Sequence, residues 1–219
     1  MDYSDTTVVI PAKDEKAVAP TVKKVLKALP KCKVIVVYIG DVSRIANRNV
    51  LFLKQKGKGY GGAIREGYAA ARTEIVADID ADGTYEPMDL RKVVSMVREG
   101  ADLAIGNRLT SSNRKSMDSY IIIGNTLATM TFNIMHMKWI GDSQSGLWAM
   151  KRDMLKDLHF EENGWLFRPE LNAEVANKGY KIVDTPIRYY ARVGSSKLEN
   201  KFMYGFNLFA KTVAFRFRS

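Results

Sequence analysis

Glu74-Ile75-Val76-Ala77-Asp78-Ile79-Asp80-Ala81-Asp82-Gly83 joins a short apolar strand to an acidic turn. The apolar half predicts a buried parallel strand, and the carboxylates follow at its end. Like charges repel there and desolvation adds to the cost, so a cation bound by Asp80 and Asp82 would relieve both penalties. Such oxygen ligands favour Mg²⁺ or Mn²⁺, with a substrate phosphate completing the shell. A solvated acidic turn is the alternative interpretation of so short a pattern.

Strands and helices alternate on both sides of this turn. Strands are predicted at residues 6–10, 33–39, 50–53, 74–77 and 102–106, and helices at residues 17–29, 63–71 and 89–99. This alternation predicts an α/β fold, in which a mostly parallel twisted sheet is flanked by helices. Ligands of such sheets bind at the carboxyl ends of the strands, where Asp80 and Asp82 are expected.

Length and composition indicate one domain. The chain has 219 residues, of which 46% are hydrophobic and 26% charged, as in a soluble globular protein. Its single cysteine, Cys32, excludes a disulfide within the chain and favours a reducing compartment. The polar, acidic start at residues 1–5 lacks the basic and apolar regions of a signal peptide. We therefore expect an intracellular protein.

A glycine-rich segment, Gly57-Lys58-Gly59-Tyr60-Gly61-Gly62, precedes the second predicted helix. Backbone N–H groups at a helix start favour anions, and Lys58 and Arg65 favour a phosphate contact here. The segment lacks the Gly-Lys-Ser/Thr ending of a P-loop and is a poor dinucleotide fingerprint. A flexible connection is the alternative.

Other motifs occur in a fixed order along the chain. They are residues 8–15 (VVIPAKDE), 59–67, 80–83 (DADG), 104–108 (AIGNR), 141–146 (GDSQSG), 179–186 and 192–198. In this order they resemble the family 2 glycosyltransferases, and within them the polyprenyl-phosphate sugar synthases such as dolichyl-phosphate mannose synthases. The resemblance covers nearly the whole chain. It implies a GT-A (nucleotide-diphospho-sugar transferase) fold over residues 1–196, a nucleotide-sugar donor, a divalent metal and a polyprenyl or dolichyl phosphate acceptor.

The resemblance also implies roles for individual residues. The metal is assigned to Asp80 and Asp82, and catalytic roles to Asp82, Asp142 and Arg108. The acceptor phosphate is assigned to Arg114, Ser145 and Arg192. Donor binding is assigned to Pro11, Lys13, Glu15, Asp41, Lys58, Asp80, Ala81, Asp82, Arg108, Arg192 and Lys197.

Three of these assignments carry further expectations. Arginine offers phosphate a planar fork that lysine lacks, so Arg108→Lys and Arg192→Lys are expected to lower activity with little change in melting temperature. Asp142 is expected to orient a neighbour or to lie in the acceptor site, with helix capping as the alternative.

A phosphate monoester is largely ionised at neutral pH and needs no strong base. His136 and His159 are therefore expected to be structural.

Two departures from the family pattern leave the donor open. Many members carry paired aspartates after the second strand, whereas this chain has only Asp41 there; Thr84 replaces the residue usual after the metal motif. GDP-mannose and UDP-glucose both remain candidate donors. The Gln-x-x-Arg-Trp motif of processive synthases is missing, which argues against polymer extension. The resemblance implies inverting transfer of a single hexose.

The net charge of +10, with a pI of about 9.6, requires an anionic partner. Residues 197–219 are basic and aromatic, with apolar residues at helical spacing, so we expect an amphipathic interfacial tail. A helix packed back on the domain is the alternative.

Residues 120–139 are long enough to span a bilayer but contain side chains costly in hydrocarbon, so an amphipathic helix beside the acceptor groove is expected. We expect peripheral binding to the anionic cytoplasmic face of a membrane, with a membrane-spanning partner as a further possibility.

Two other classes of protein share some of these features. A sugar-1-phosphate nucleotidyltransferase has a similar sheet and metal, but it should carry a glycine-rich basic motif after the first strand, where this chain has Pro11-Ala12-Lys13-Asp14-Glu15. A non-enzymatic protein that binds membranes or nucleic acid would explain the charge, but it would leave Asp80 and Asp82 without a role. We expect no nucleic-acid partner.

Overall fold

The computed structural model of the chain describes residues 1–191 and 201–218. In this part of the chain, strands β1 to β7 form a single sheet: Thr6–Lys13, Lys33–Ile39, Val50–Lys54, Ile75–Asp78, Leu103–Asn107, Trp148–Lys151 and Ile182–Pro186. Helices α1 to α6 are Val18–Ala28, Gly59–Ala70, Leu90–Arg98, Ser119–His136, Phe167–Asn177 and Lys201–Arg216. Short 3₁₀ turns lie at Pro87–Asp89, Ser111–Ser116 and Arg152–Lys156.

The sheet order is β3-β2-β1-β4-β6-β5-β7. All neighbouring pairs are parallel except those of β6, which runs antiparallel to both β4 and β5. The predicted mostly parallel α/β sheet is therefore confirmed. Because β6 is reversed, its amino end lies at the carboxyl edge of the other strands. Residues 141–147 therefore enter the sheet at the edge where the acidic turn leaves it.

Helices cover both faces of the sheet. In β1, Val8 and Ile10 face the layer that contains α1 and α3, whereas Val9 faces the layer that contains α2 and α5. This alternation follows from the two-residue period of a strand. Phe132 of α4 is buried in the second layer. Since both faces are covered, the β1 and β2 sequences are nearly continuous runs of apolar residues.

Two predicted boundaries were wrong. Strand β1 continues through Pro11 to Lys13 instead of ending at residue 10. On the β4 side, the last contact is Ile79 N–H donating to Val9 O at 3.3 Å, so the missing N–H of Pro11 falls beyond that ladder and removes no hydrogen bond. Helix α2 begins at Gly59 rather than at residue 63, so most of the glycine-rich segment is helical and not a flexible connection.

The C-terminal helix α6 packs against α4 and α5. Leu208, Thr212 and Phe215 form its buried face, while Phe209 and Phe217 are 57% and 77% exposed. One face of the tail helix therefore packs on the domain, as the alternative interpretation of the tail predicts. No helix in the described ranges has both the length and the apolar character needed to cross a membrane.

Two of the tail cations are paired within the protein. Lys211 Nζ lies 2.9 Å from a carboxylate oxygen of Glu162. Arg218 donates to Glu170 at 2.6 Å and also pairs with Glu161. These carboxylates reduce the net positive charge of the tail.

Candidate active site

A cleft of about 450 Å³ opens at the carboxyl edge of the sheet, between the ends of β1 and β4 and the start of α2. The structure brings seven of the predicted donor-binding residues together on its walls: Pro11, Lys13, Glu15, Lys58, Asp80, Ala81 and Asp82. The remaining lining residues are Ala12, Ile39, Gln55, Gly59, Tyr60, Ala63, Gly164 and Trp165. The parallel strands place these residues together because their carboxyl ends share one edge.

The two aspartates of the acidic turn are half-buried, unlike those of a solvated turn. Asp82 Oδ1 accepts hydrogen bonds from the backbone N–H and the hydroxyl of Thr84, at 3.1 and 2.7 Å. Asp80 Oδ1 accepts one from the Tyr60 hydroxyl at 2.8 Å. Burial, and after it the negative charge of Asp82, raises the pKa of Asp80 to about 6. A bound cation would offset both effects.

The donor set fits a hard divalent cation. Asp80 and Asp82 supply two carboxylates, and within the described ranges no third Asp, Glu, His or Cys completes a ready-made metal cluster. Mg²⁺ is commonly held by one or two carboxylates together with substrate phosphates and water. The pair therefore fits Mg²⁺ or Mn²⁺ that binds together with a phosphorylated substrate.

A buried arginine lies behind the acidic turn. Arg168, in the first turn of α5, is 5% exposed and forms an ion pair with Asp78. It also donates to the Tyr60 hydroxyl, and its guanidinium lies 4.1 Å from the ring centre of Trp148. Burial raises the pKa of Asp78 to about 7, although the charge of Arg168 acts in the opposite direction. Arg168, Tyr60 and Asp80 thus form a chain of hydrogen bonds from α5 to the cleft.

The glycines of α2 permit a close approach of the loop that precedes α5. A Cβ at Gly59 would overlap Asn163 O, and one at Gly61 would overlap the Phe167 side chain. The Gly62 N–H donates to Asn163 O at 3.1 Å. On this loop, Trp165 stacks on Tyr60 with ring centres 4.8 Å apart and forms part of the cleft wall. Lys58 lines the cleft, whereas Arg65 donates to Asn163 and lies in a neighbouring surface depression.

Gly146 lies directly against the acidic turn. A Cβ at this position would overlap Asp80 Oδ2. Its backbone N–H donates to the Tyr85 hydroxyl at 2.6 Å, which holds the segment in place. Gly146 is thus required sterically, because a side chain at this position would displace Asp80, a candidate metal ligand.

Arg108 and Asp142 form a buried ion pair. Arg108 Nε and Nη2 donate to the two oxygens of Asp142 at 2.7 and 3.0 Å, and the Arg108 backbone N–H donates at 3.1 Å. Asp142 also accepts from the Gln144 backbone N–H at 3.0 Å, and no helix follows it, so the helix-cap alternative is wrong. Arg108 is only 7% exposed, so the loss of this buried ion pair argues against the expectation that Arg108→Lys leaves the melting temperature nearly unchanged.

The other predicted site residues are distributed around this edge. Ser145 is buried, and its hydroxyl accepts from the Leu147 N–H at 3.3 Å. Arg114 is exposed on the 3₁₀ turn Ser111–Ser116. Asp41 follows β2, and its N–H donates to Asp14 Oδ1 at 3.1 Å, outside the cleft lining. Arg192 and Lys197 lie outside the described residues.

Sequence reasoning missed Tyr60, Trp165 and Arg168. Tyr60 is part of the glycine-rich segment, but only the glycines and cations there drew attention. The contact from Arg168 to Asp78 spans 90 residues. The one available signal was an arginine inside an otherwise apolar helix start, Trp165-Leu166-Phe167-Arg168-Pro169.

Two relatives from one organism are similar to this chain in sequence. The chain is 31% identical over 160 residues to a low-salt glycan biosynthesis hexosyltransferase of Haloferax volcanii, and 29% identical over 147 residues to a dolichyl-phosphate hexose transferase of that organism. The alignments cover 71% and 67% of this chain but only 38% and 64% of the two relatives. The chain thus spans less than two thirds of the length of either relative.

A solved structure shows the same fold. Glucosyl-3-phosphoglycerate synthase from Mycobacterium tuberculosis, crystallised with Mn²⁺, uridine diphosphate and phosphoglyceric acid, superposes with a TM-score of 0.66 at 17% identity. The match covers 95% of this chain and 75% of that one. The predicted GT-A fold is confirmed. The glycosyl transferase family 2 model matches residues 7–159, and the chain belongs to this family.

Proposed function

We propose that the protein transfers one hexose, with inversion, from a nucleotide sugar to a polyprenyl phosphate. The observation that carries this proposal is the pair of half-buried carboxylates, Asp80 and Asp82, on the wall of a 450 Å³ cleft at the carboxyl edge of the sheet. The volume is in the usual range for small-molecule sites. The similarity to a dolichyl-phosphate hexose transferase supports the acceptor class.

The donor would lie in the cleft. Its nucleoside would contact the end of β1, near Pro11 and Ile39, and its diphosphate would face Asp80 and Asp82. A Mg²⁺ or Mn²⁺ ion held by these two aspartates would supply positive charge for the departing nucleoside diphosphate. Lys13 and Lys58 add cationic groups on the same walls.

The acceptor phosphate would approach from the side of Arg108. In the reaction, a phosphate oxygen of the acceptor forms a bond to the anomeric carbon, while the bond from that carbon to the diphosphate breaks. The phosphate is already ionised near neutral pH, so no protein base has to remove a proton. Asp142 then acts on Arg108, which it holds in place through two hydrogen bonds. Arg114, Ser145 and Arg192 remain candidate phosphate contacts.

A long polyprenyl acceptor stays in its membrane, so the enzyme must work at the membrane surface. We propose peripheral binding at the cytoplasmic face, where anionic lipids match the net charge of +10. A membrane-spanning partner protein would serve the same purpose.

The proposal is tested by a transfer assay. The protein is incubated with Mn²⁺, GDP-mannose or UDP-glucose, and a short water-soluble prenyl phosphate, and the glycolipid product is detected by mass spectrometry. A thermal-shift screen of the two donors identifies the preferred base. Asp82→Asn should lower the rate on the order of a hundredfold or more, whereas Asp153→Asn, at an exposed site away from the cleft, should not. Undiminished transfer in EDTA or in Asp82→Asn would refute the metal assignment.

A further inference from the structure

Helix α4 presents a continuous apolar face to the outside of the molecule. Five large apolar residues of α4 recur at spacings of three and four, which places them in one line along the helix, and Met137 follows at its C-terminal cap. Each is at least 51% exposed. We call them the α4 stripe: Tyr120, Ile123, Leu127, Met130, Ile134 and Met137. Trp139, 85% exposed, follows directly after the helix. Exposed apolar surface that is this continuous marks an interaction site.

The sequence of α4 supports this interpretation. Between Asp118 and Lys138, nineteen consecutive residues contain no Asp, Glu, Lys or Arg. The one histidine among them, His136, is buried. A helix that faces water normally carries charged residues on its outer side, so the α4 stripe is expected to be covered.

Charges at the two ends of the helix identify what covers it. Arg114 and Lys115 lie exposed just before α4, and Lys138 follows it. Asp118 is the single acidic residue in residues 113–138. Two copies of α4 packed against each other, parallel or antiparallel, would bring ends of net positive charge together, because the one carboxylate does not offset the three cations. Anionic headgroups would instead attract the cations at both ends of the helix.

We infer that the α4 stripe enters the headgroup and acyl boundary of an anionic lipid bilayer, with α4 lying in the membrane plane. This revises the expected anchor. Lys211 and Arg218 of the tail are paired with carboxylates of the protein, whereas the stripe contains no charge that must be desolvated.

The inner face of α4 connects this surface to the active site. Thr129 Oγ1 accepts from the Ser143 N–H at 3.0 Å, and Asn133 bonds both the N–H and the carbonyl of Ile140, at 3.2 and 2.9 Å. The segment held in this way contains Asp142, the partner of Arg108. A bilayer on the outer face would therefore lie one helix away from the proposed acceptor site. This last step rests on the proposed function, whereas the docking itself does not.

The test is vesicle binding by the full chain. Leu127→Glu combined with Ile134→Glu places two charges on the stripe, at side chains 59% and 67% exposed, so the fold should be retained. We expect co-sedimentation with phosphatidylglycerol-containing vesicles to weaken at least tenfold, since the variant loses two large apolar side chains from the lipid contact and places two carboxylates there. Leu51→Glu, a 50% exposed leucine on the edge strand β3, is the matched control. Circular dichroism and melting temperature verify folding.

A second readout locates the contact. Brominated lipids should quench the fluorescence of the wild type, and the quenching should be largely lost in Trp139→Phe. Wild-type vesicle binding by the double variant would overturn the inference. The inference would also be overturned if sedimentation velocity without lipid showed a dimer for the wild type and a monomer for the double variant. A second copy of the protein would then cover the stripe.

The assays separate this inference from the proposed function. Transfer to a short, water-soluble prenyl phosphate should be equal in the wild type and the double variant, while transfer to a long-chain acceptor in vesicles should fall only in the variant. If the wild type binds vesicles through α4 but transfers no sugar to either acceptor, the proposed function fails and the docking surface stands. If transfer occurs but the double variant binds vesicles as well as the wild type does, the docking surface fails and the proposed function stands.

Discussion

The Tyr60 hydroxyl donates a 2.8 Å hydrogen bond to Asp80 Oδ1 and accepts from the buried guanidinium of Arg168. One phenol thus connects a candidate metal ligand to the first turn of α5. Because groups that hydrogen-bond to a ligating carboxylate fix its orientation, Tyr60 is expected to affect metal binding.

Tyr60→Phe should therefore weaken binding of Mn²⁺ in the presence of a nucleoside diphosphate, on the order of tenfold or more. Electron paramagnetic resonance of free Mn²⁺ measures this without relying on turnover. Tyr190→Phe is the control, since Tyr190 bonds to Glu86 at 3.1 Å on the exposed surface. Equal Mn²⁺ affinity in Tyr60→Phe and the wild type would contradict the positioning role.

Gly146→Ala should also impair the acidic turn. The added methyl group would overlap Asp80 Oδ2, so either Asp80 or the segment before β6 must move. We expect reduced Mn²⁺ affinity together with loss of transfer activity. Gly164→Ala provides the comparison, because Gly164 also lines the cleft but a Cβ there meets no atom within 4 Å. If both variants bind Mn²⁺ equally well, the steric argument fails.

Arg108→Lys should lower both activity and stability. Lysine cannot reproduce the two parallel hydrogen bonds to Asp142, and the buried carboxylate would lose part of its compensation. We expect the free energy of unfolding to fall by roughly 1–3 kcal/mol, measured by urea denaturation. Arg114→Lys, at an exposed arginine, should leave the unfolding midpoint unchanged. A stable and inactive Arg108→Lys variant would instead favour a purely catalytic role.

His136 should make a stabilising contribution that is lost on acidification below about pH 6.5, the ordinary pKa of histidine, whereas Asp78 and Asp80, whose pKa values are raised, act in the opposite direction. Burial lowers the pKa of His136, and the charges of Arg216 and Lys138 act in the same direction. His136 therefore binds fewer protons in the folded protein than in the unfolded chain, and the stabilisation that it provides above this pH is lost as the pH falls. His136 Nδ1 bonds to Asn177 Oδ1 at 3.0 Å, and Asn177 Nδ2 donates to Phe215 O at 2.8 Å, so the affected contacts join α4, α5 and α6.

The measurement is the melting temperature between pH 7 and pH 5. The melting temperature of His136→Gln should rise relative to that of the wild type as the pH falls. The chain has only one other histidine, His159, which is exposed, so His159→Gln should retain the wild-type slope. Identical slopes in all three proteins would exclude His136 as the group responsible.

The central sheet was predictable because its signals are local. Apolar runs such as residues 33–39 and 74–77 have the length and composition of buried strands, and glycine or proline lies near their ends. The acidic turn was predictable for the same reason, since two closely spaced carboxylates directly follow a buried strand. Strand β6 was missed because four residues, Trp148–Lys151, carry too little periodicity to identify a strand.

The support behind the site could not be predicted, because it depends on contacts between distant segments. Arg168 and Asp78 are 90 residues apart, and Arg108 and Asp142 are 34 apart. The sequence alone indicated that Arg108 has a function but not that it is buried. In the tail, the exposed aromatic residues were identified, while the buried face of Leu208, Thr212 and Phe215 was not.

Strand β6 pairs with β4 in the sheet although it follows β5 along the chain, and this order has a consequence for how the protein is made. Asp80 and Asp82 leave the ribosome early, but Gly146, Trp148 and Arg168, which surround and support the turn, are synthesised much later. A nascent chain that ends before α5 would contain both aspartates without the guanidinium behind them. The site therefore matures only after most of the chain has emerged, and an incomplete chain is not expected to retain a metal ion.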